Sequence, residues 1–134
     1  FCGFESQKYI SFALGFGSRK GSVILHDMLH LYEQMAFINS DGTLNKTPCP
    51  TYQTQVMEAH GLVRNAQTQI TRDFAALSME YLNPVNFYGA GQPTANSFSI
   101  HQFAATWFDD RKKEYHARAI QNCKYILERL RQNP

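Results

Sequence analysis

Apolar residues fall in short, bounded runs along this chain. Ile10 to Phe16 is apolar and aromatic and closes on Gly15-Phe16-Gly17, which predicts a buried strand or extended segment. After the turn Ser18-Arg19-Lys20-Gly21, Ser22 is placed to cap a helix from Val23 to about Phe37. Ile24, Leu25, Met28, Leu31, Tyr32 and Met35 recur there at intervals of three and four and make one buried stripe. Asn39-Ser40-Asp41-Gly42-Thr43 is a turn, and Thr47 to Thr51 is a second break. Pro50 suits the first turn of a helix, where its missing N–H has no intrahelical partner. That helix runs from about Thr51 to His60, with Gly61 as its left-handed stop. Gln67 to Thr71 reads as a short strand, and Phe74 to Leu82 fits either element. Ser97 to Phe103 alternates with period two, which predicts a strand with Phe98, Ile100 and Gln102 on one face and Ser99, His101 and Phe103 on the other. Asp109-Asp110 can cap a last helix to about Gln132, with Tyr115, Ala119, Cys123, Ile126, Leu127 and Leu130 as its stripe. About three helices with short strands between them make an α/β or α+β fold.

The 134 residues amount to one domain or part of a larger one. Hydrophobic residues make up 43% and charged residues 18%, the latter below the roughly 25% usual for globular chains, which argues against disorder. Thirteen basic residues against 11 acidic give +2, too little to indicate a nucleic-acid partner. Cys2, Cys49 and Cys123 are widely spaced, without a CxxC pair, and make neither a disulfide framework nor a zinc site. They fit a reducing compartment such as the cytoplasm. No run is apolar enough to span a membrane. The opening Phe1-Cys2-Gly3-Phe4-Glu5 has no initiator Met and no signal-peptide pattern, and Gly3-Phe4-Glu5 reads like the end of a strand entering a loop. A fragment or processed chain lacking its N-terminal part is the expectation from this start.

Three features carry chemistry. His26 and His30 stand at i and i+4, a spacing that can hold a divalent ion, but Asp27 occupies the place of the zinc-protease glutamate, so the pair reads as boundary histidines beside the stripe. From Tyr81 to Phe108 there is no Asp, Glu, Lys or Arg; amides, hydroxyls and aromatic faces dominate instead. Such a set suits sugars and nucleotides, which stack on rings and hydrogen-bond to planar amides. The same stretch also reads as a long loop with a structural Trp107 and a core His101. The last helix carries seven of the 13 basic residues, a composition that fits contact with anionic headgroups or an acidic partner as well as a solvated face.

The order of motifs resembles the sugar-transferase family that carries a DXD sugar-binding region, which includes bacterial capsular-polysaccharide enzymes and the fungal Golgi initiating α-1,6-mannosyltransferases. The resemblance runs through Gly3-Phe4-Glu5, Ile10, Ala13, Gly15, Lys20-Gly21 and Tyr32-Glu33. It continues in Phe37-Ile38-Asn39, Asp41-Gly42-Thr43-Leu44, Thr47, Pro50, Gly61-Leu62, Glu80-Tyr81-Leu82 and Pro84. It is most specific at Thr94, Asn96-Ser97-Phe98, Ile100-His101 and Thr106-Trp107, and covers about residues 3 to 108. Gln102 stands where the family has a second His, which removes an imidazole; Thr106 stands where it has Ser, which keeps the hydroxyl. The sequence contains no Asp-x-Asp, which in the family lies just upstream of Gly-Phe-Glu.

The resemblance implies that residues 1–134 are the C-terminal portion of one GT-A-like glycosyltransferase domain, without the N-terminal nucleotide-binding half and inactive alone. The parent would transfer a hexose from a nucleotide-sugar donor to a surface-glycan or polysaccharide acceptor, with retention of configuration. Mn²⁺ or Mg²⁺ would be held mainly by the Asp-x-Asp segment, with His101 or Gln102 approaching the metal or diphosphate. Trp107 and Thr106 are the expected catalytic residues, closing over the leaving phosphate and excluding water. Gln102 and Asn96, with Thr51 and Gln53 on the acceptor side, are the expected substrate-binding residues. The implied location is the cytoplasm, with peripheral contact at the inner membrane surface through the basic last helix. Two other readings remain: a non-catalytic carbohydrate-binding module, and a protein-interaction domain working through that helix.

Overall fold

The structure, a computed structural model, describes residues 1–103 and 109–132, with backbone alone at 122, 123, 126, 127, 129, 130 and 132. The chain forms two compact units, 1–79 and 80–134, each described by itself below. The first is a mixed α/β unit. Its strands are β1 (Cys2–Phe4), β2 (Ile10–Ser11), β3 (Gln69–Ile70) and β4 (Ala75–Leu77), in the order β2-β1-β4-β3. β1 lies parallel to β4, with Cys2 opposite Ala76, and both edge strands run antiparallel to their neighbours. A 3-10 turn covers Phe12–Leu14, and the helices of this unit are α1 (Val23–Glu33) and α2 (Cys49–Ala59). A four-residue helix, α3 (Met79–Leu82), contains the division between the units, and α4 (Asp110–Gln132) belongs to the second.

The core of the first unit gathers Phe4, Ile10, Ile24, Met28, Met57, Phe74 and Ala76. Phe4 and Ile10 are fully buried, each stabilising by about 1.5–3 kcal/mol relative to exposure. Cys2 joins them; burial pushes its thiol up to about 11, so it is an inert packing group.

The sequence places most elements and misplaces several ends. Helix α1 begins at Val23 as predicted, but the Ser22 side chain makes no capping bond, and the helix stops at Glu33 rather than near Phe37. Past that point Phe37 pairs across a hairpin instead, accepting the Asn45 N–H at 2.8 Å. Helix α2 starts at Cys49, with Pro50 in its first turn, and Gly61 follows with φ +93°. Ile10 to Phe16 is not one strand: it pairs for two residues and then turns at Phe12. Phe74 to Leu82 resolves into β4 and α3. Residues 97–103 form no strand and have no ladder partner among the described residues, and Phe103 turns the chain at φ +46°.

Helix α2 closes the free side of edge strand β2. The Thr54 hydroxyl, fully buried, accepts the Ile10 N–H at 3.1 Å and donates to the Pro50 carbonyl at 2.6 Å. The preceding residue, Gln53, accepts the Phe12 N–H through its Oε1 at 3.0 Å. Two side chains thus take the place of a further strand, as an edge requires.

Candidate functional site

The uncharged stretch folds back on α3. Glu80, the last charged residue before it, is the organiser: its Oε1 accepts from the Thr94 hydroxyl at 2.6 Å and from Asn96 Nδ2 at 3.0 Å. These two hydrogen bonds hold the Glu80 carboxyl below the ordinary glutamate value. The Ser97 hydroxyl donates to the Glu80 carbonyl at 2.7 Å, the Phe98 N–H to the Tyr81 carbonyl at 2.8 Å, and the Ser99 hydroxyl to the Leu82 carbonyl at 3.0 Å. Tyr81 and Phe98 stack with ring centroids 6.4 Å apart. Side-chain hydroxyls therefore do for residues 94–99 what a strand ladder would have done.

The alternation seen in the sequence survives without a strand, but with the faces reversed from a simple apolar-inward pattern. Phe98, Ile100 and Gln102 are exposed, and Ser99, His101 and Phe103 turn inward. The His101 ring meets Phe103 edge-on at 4.1 Å. Its Nδ1 is buried and has no hydrogen-bond partner among the described residues. A buried ring nitrogen without a partner costs free energy, so it is a place where a ligand atom would be welcome.

Loop 84–91 is tightly built beside this segment. Asn86 Oδ1 accepts the N–H groups of Tyr88 and Ala90, both at 3.0 Å, and Val85 bridges Gly91. His116 of α4 donates its Nε2–H to the Phe87 carbonyl, 2.9 Å away, and stacks on the Phe87 ring at 3.8 Å. At the start of α4, Asp109 accepts the Lys112 N–H at 2.9 Å, the cap that the sequence predicts.

The predicted site residues meet different fates. His101 is half-buried with a free nitrogen, and Gln102 is exposed on the opposite face. Asn96 is occupied by Glu80. Gln53, expected to bind substrate, instead uses its carbonyl oxygen to close β2, a structural role that short-range pattern could not reveal. Thr51 is half-buried in the first turn of α2, its N–H bonded to the Pro48 carbonyl at 3.0 Å. Thr106 and Trp107 lie outside the described residues. A cavity of about 720 Å³ in the second unit is lined, among the described residues, by Phe87, Tyr88 and residues from Asp109 to Ala119, with none of His101, Gln102, Asn96, Thr51 and Gln53.

His26 and His30 do not act together. His26 Nδ1 lies 3.2 Å from Asp27 Oδ1, while His30 Nε2 meets Gln34 Nε2 at 2.8 Å. Asp27 also bonds His60, the residue just past α2, at 2.8 Å, and the two histidine contacts hold its carboxyl below the ordinary aspartate value. Among the described residues no group of three His, Cys, Asp or Glu converges to hold a metal ion, and no helix is long and apolar enough to cross a membrane.

Comparison with protein-family models, with curated proteins and with solved structures finds no match to this chain.

Proposed function

We propose that this chain is the C-terminal part of a GT-A-like hexosyltransferase domain, one that moves a sugar from a nucleotide donor to a glycan acceptor. The observation that carries the reading is the His101 imidazole, whose Nδ1 is buried and unpartnered within the segment where the motif resemblance is densest. In this reading His101 carries a proton on that nitrogen and donates it in a hydrogen bond to an oxygen of the donor's diphosphate. Exposed Gln102 and the Asn96 amide offer further hydrogen bonds to sugar hydroxyls. Thr106 and Trp107 follow three to four residues beyond Phe103 and exclude water from the leaving phosphate.

Mn²⁺ or Mg²⁺ would neutralise the departing diphosphate when bound. The described residues do not make its site: His101 supplies one nitrogen, hard cations prefer several oxygens, and the sequence holds no Asp-x-Asp. The cation is assigned in this reading to a segment outside these 134 residues. Exposed Arg111, Lys112, Lys113, Arg118, Lys124 and Arg131 on α4 support a cytoplasmic enzyme resting on an anionic membrane surface.

Sugar-nucleotide turnover by the whole protein tests the reading. His101→Ala and Trp107→Ala should each cut turnover by roughly a hundredfold or more, the scale of losing a preorganised charge-stabilising contact. Near-normal turnover in both variants would remove the segment from the active site. Glycan binding by the whole protein without any nucleotide dependence would favour the carbohydrate-binding reading instead.

A further inference from the structure

The structure assigns a second sugar-binding site, for a neutral pyranose, to a pocket between the end of α1, the hairpin 37–45 and the start of α2. It rests on the transferase reading for its role, since a neutral sugar there is the acceptor's. The pocket holds about 350 Å³, within the range of small-ligand sites. Among the described residues its walls contain no Asp, Glu, Lys, Arg or His. The two larger cavities differ in this respect, one being lined by Arg19, Arg72 and Asp73 among others and the other by Arg111, Lys112 and Arg118. A charge-free wall gives a diphosphate nothing to pair with. It suits a ligand with one apolar C–H face and a rim of hydroxyls.

The groups a sugar needs are present and held. Phe37 is 68% exposed, a large ring left in water beside the pocket it lines. Tyr32 and Tyr52 meet edge to face at 6.1 Å and provide two more rings. Asn45 supplies the amide: its Nδ2 lies 3.0 Å from the Tyr52 hydroxyl, and its Oδ1 accepts the Thr47 N–H at 3.1 Å. The Tyr52 hydroxyl also donates to that Oδ1 at 3.1 Å, so both lone pairs of the oxygen are taken; the amide is oriented at both ends, and Nδ2 keeps one N–H for a further hydrogen bond.

The hairpin fixes the ring and the amide opposite each other. Phe37 and Asn45 are joined through the backbone at 2.8 Å, as are Asn39 and Thr43. Asp41 Oδ1 accepts both the N–H and the hydroxyl of Thr43, at 2.9 and 2.7 Å, and Gly42 turns the chain at φ +82°. So dense a set of turn bonds holds an exposed phenylalanine that contributes little to the core, which is the economy of a binding platform.

The test is NMR titration of the labelled chain with methyl α-D-glucopyranoside and methyl α-D-mannopyranoside, with sodium glucuronate and uridine diphosphate as charged probes. A neutral pyranoside should shift Tyr32, Phe37 and Asn45 saturably. Phe37→Ala should weaken it by roughly tenfold, and Phe37→Trp should restore it, since stacking carries the contact. Asn45→Ala should weaken it by a similar factor, with the hairpin amide shifts confirming the fold. No saturable shift at these residues up to ~50 mM, equal affinity in Phe37→Ala, or preference for either charged probe overturns the inference. Binding here by a protein with no transfer activity upholds the pocket and overturns the transferase reading alone. Transfer activity of the whole protein with unchanged acceptor KM in Phe37→Ala overturns the pocket and leaves that reading standing.

Discussion

Replacing Thr54 by valine isolates the hydrogen bond that seals the edge of the sheet. Thr54 is fully buried and its oxygen is the acceptor for the Ile10 N–H on the open side of β2. Valine keeps the branched shape and puts a methyl group where that oxygen was. The Ile10 N–H, itself part of a fully buried residue, is then left without an acceptor, which costs about 1–3 kcal/mol. Thr54→Ser keeps the oxygen and deletes one methyl group, a loss of about 1 kcal/mol. The two variants separate by mechanism as well as by size. Amide hydrogen exchange reads it directly: Ile10 should lose protection selectively in Thr54→Val and retain it in Thr54→Ser. The urea midpoint should fall in Thr54→Val with its slope unchanged. A valine variant within about 0.5 kcal/mol of the parent, with Ile10 still protected, would refute the argument, because that is the scatter of inconsequential surface changes.

Two further outcomes are expected. Gly91 has φ +106°, and a Cβ there would overlap the Pro84 carbonyl oxygen, whereas Gly42 has φ +82° with open space around it. Gly91→Ala should therefore cost on the order of 3 kcal/mol and Gly42→Ala about 1 kcal/mol, each read from the exchange of its own loop amides; equal costs would contradict the overlap. The Glu80 carboxyl should titrate below the ordinary glutamate value in a ¹³C NMR titration, because Thr94 and Asn96 bond its ionised form. Its folded value being depressed, the stability it contributes is present above the ordinary value and is lost as pH falls through the folded one. Thr94→Val should raise the midpoint, and an ordinary midpoint in the parent would show that the two bonds are not formed in solution.

Local punctuation was the most legible part of this chain. Pro50 and Gly61 bracket α2 because each acts through its own backbone, independent of what packs around it. The end of α1 was not legible, since Met35 continues the apolar stripe while Phe37 is claimed by its pairing with Asn45, a contact set by the turn beyond it. Alternation at residues 97–103 correctly sorted the two faces around His101, yet it could not tell a ladder from hydroxyls of Ser97 and Ser99 bonding the carbonyls of α3. Glu80 was missed as an organiser. The signal for it was its position as the last charge before 28 uncharged residues, where any carboxylate will attract nearby hydroxyls and amides. The bond from the Phe12 N–H to Gln53 was not legible, because an amide that completes a sheet edge and one that holds a ligand look alike in one dimension.

The parallel pairing of β1 with β4 sets a schedule for how this polypeptide acquires its shape. Cys2 to Phe4 can dock beside Ala75 to Leu77 only once the chain between them has folded back. Until then β1 has, among the strands of this sheet, β2 alone at its side, in a two-stranded hairpin too small to persist in water. Assembly of the first unit is thus expected to wait on a distant middle strand, which makes closure of that long loop, rather than helix growth, its slow step.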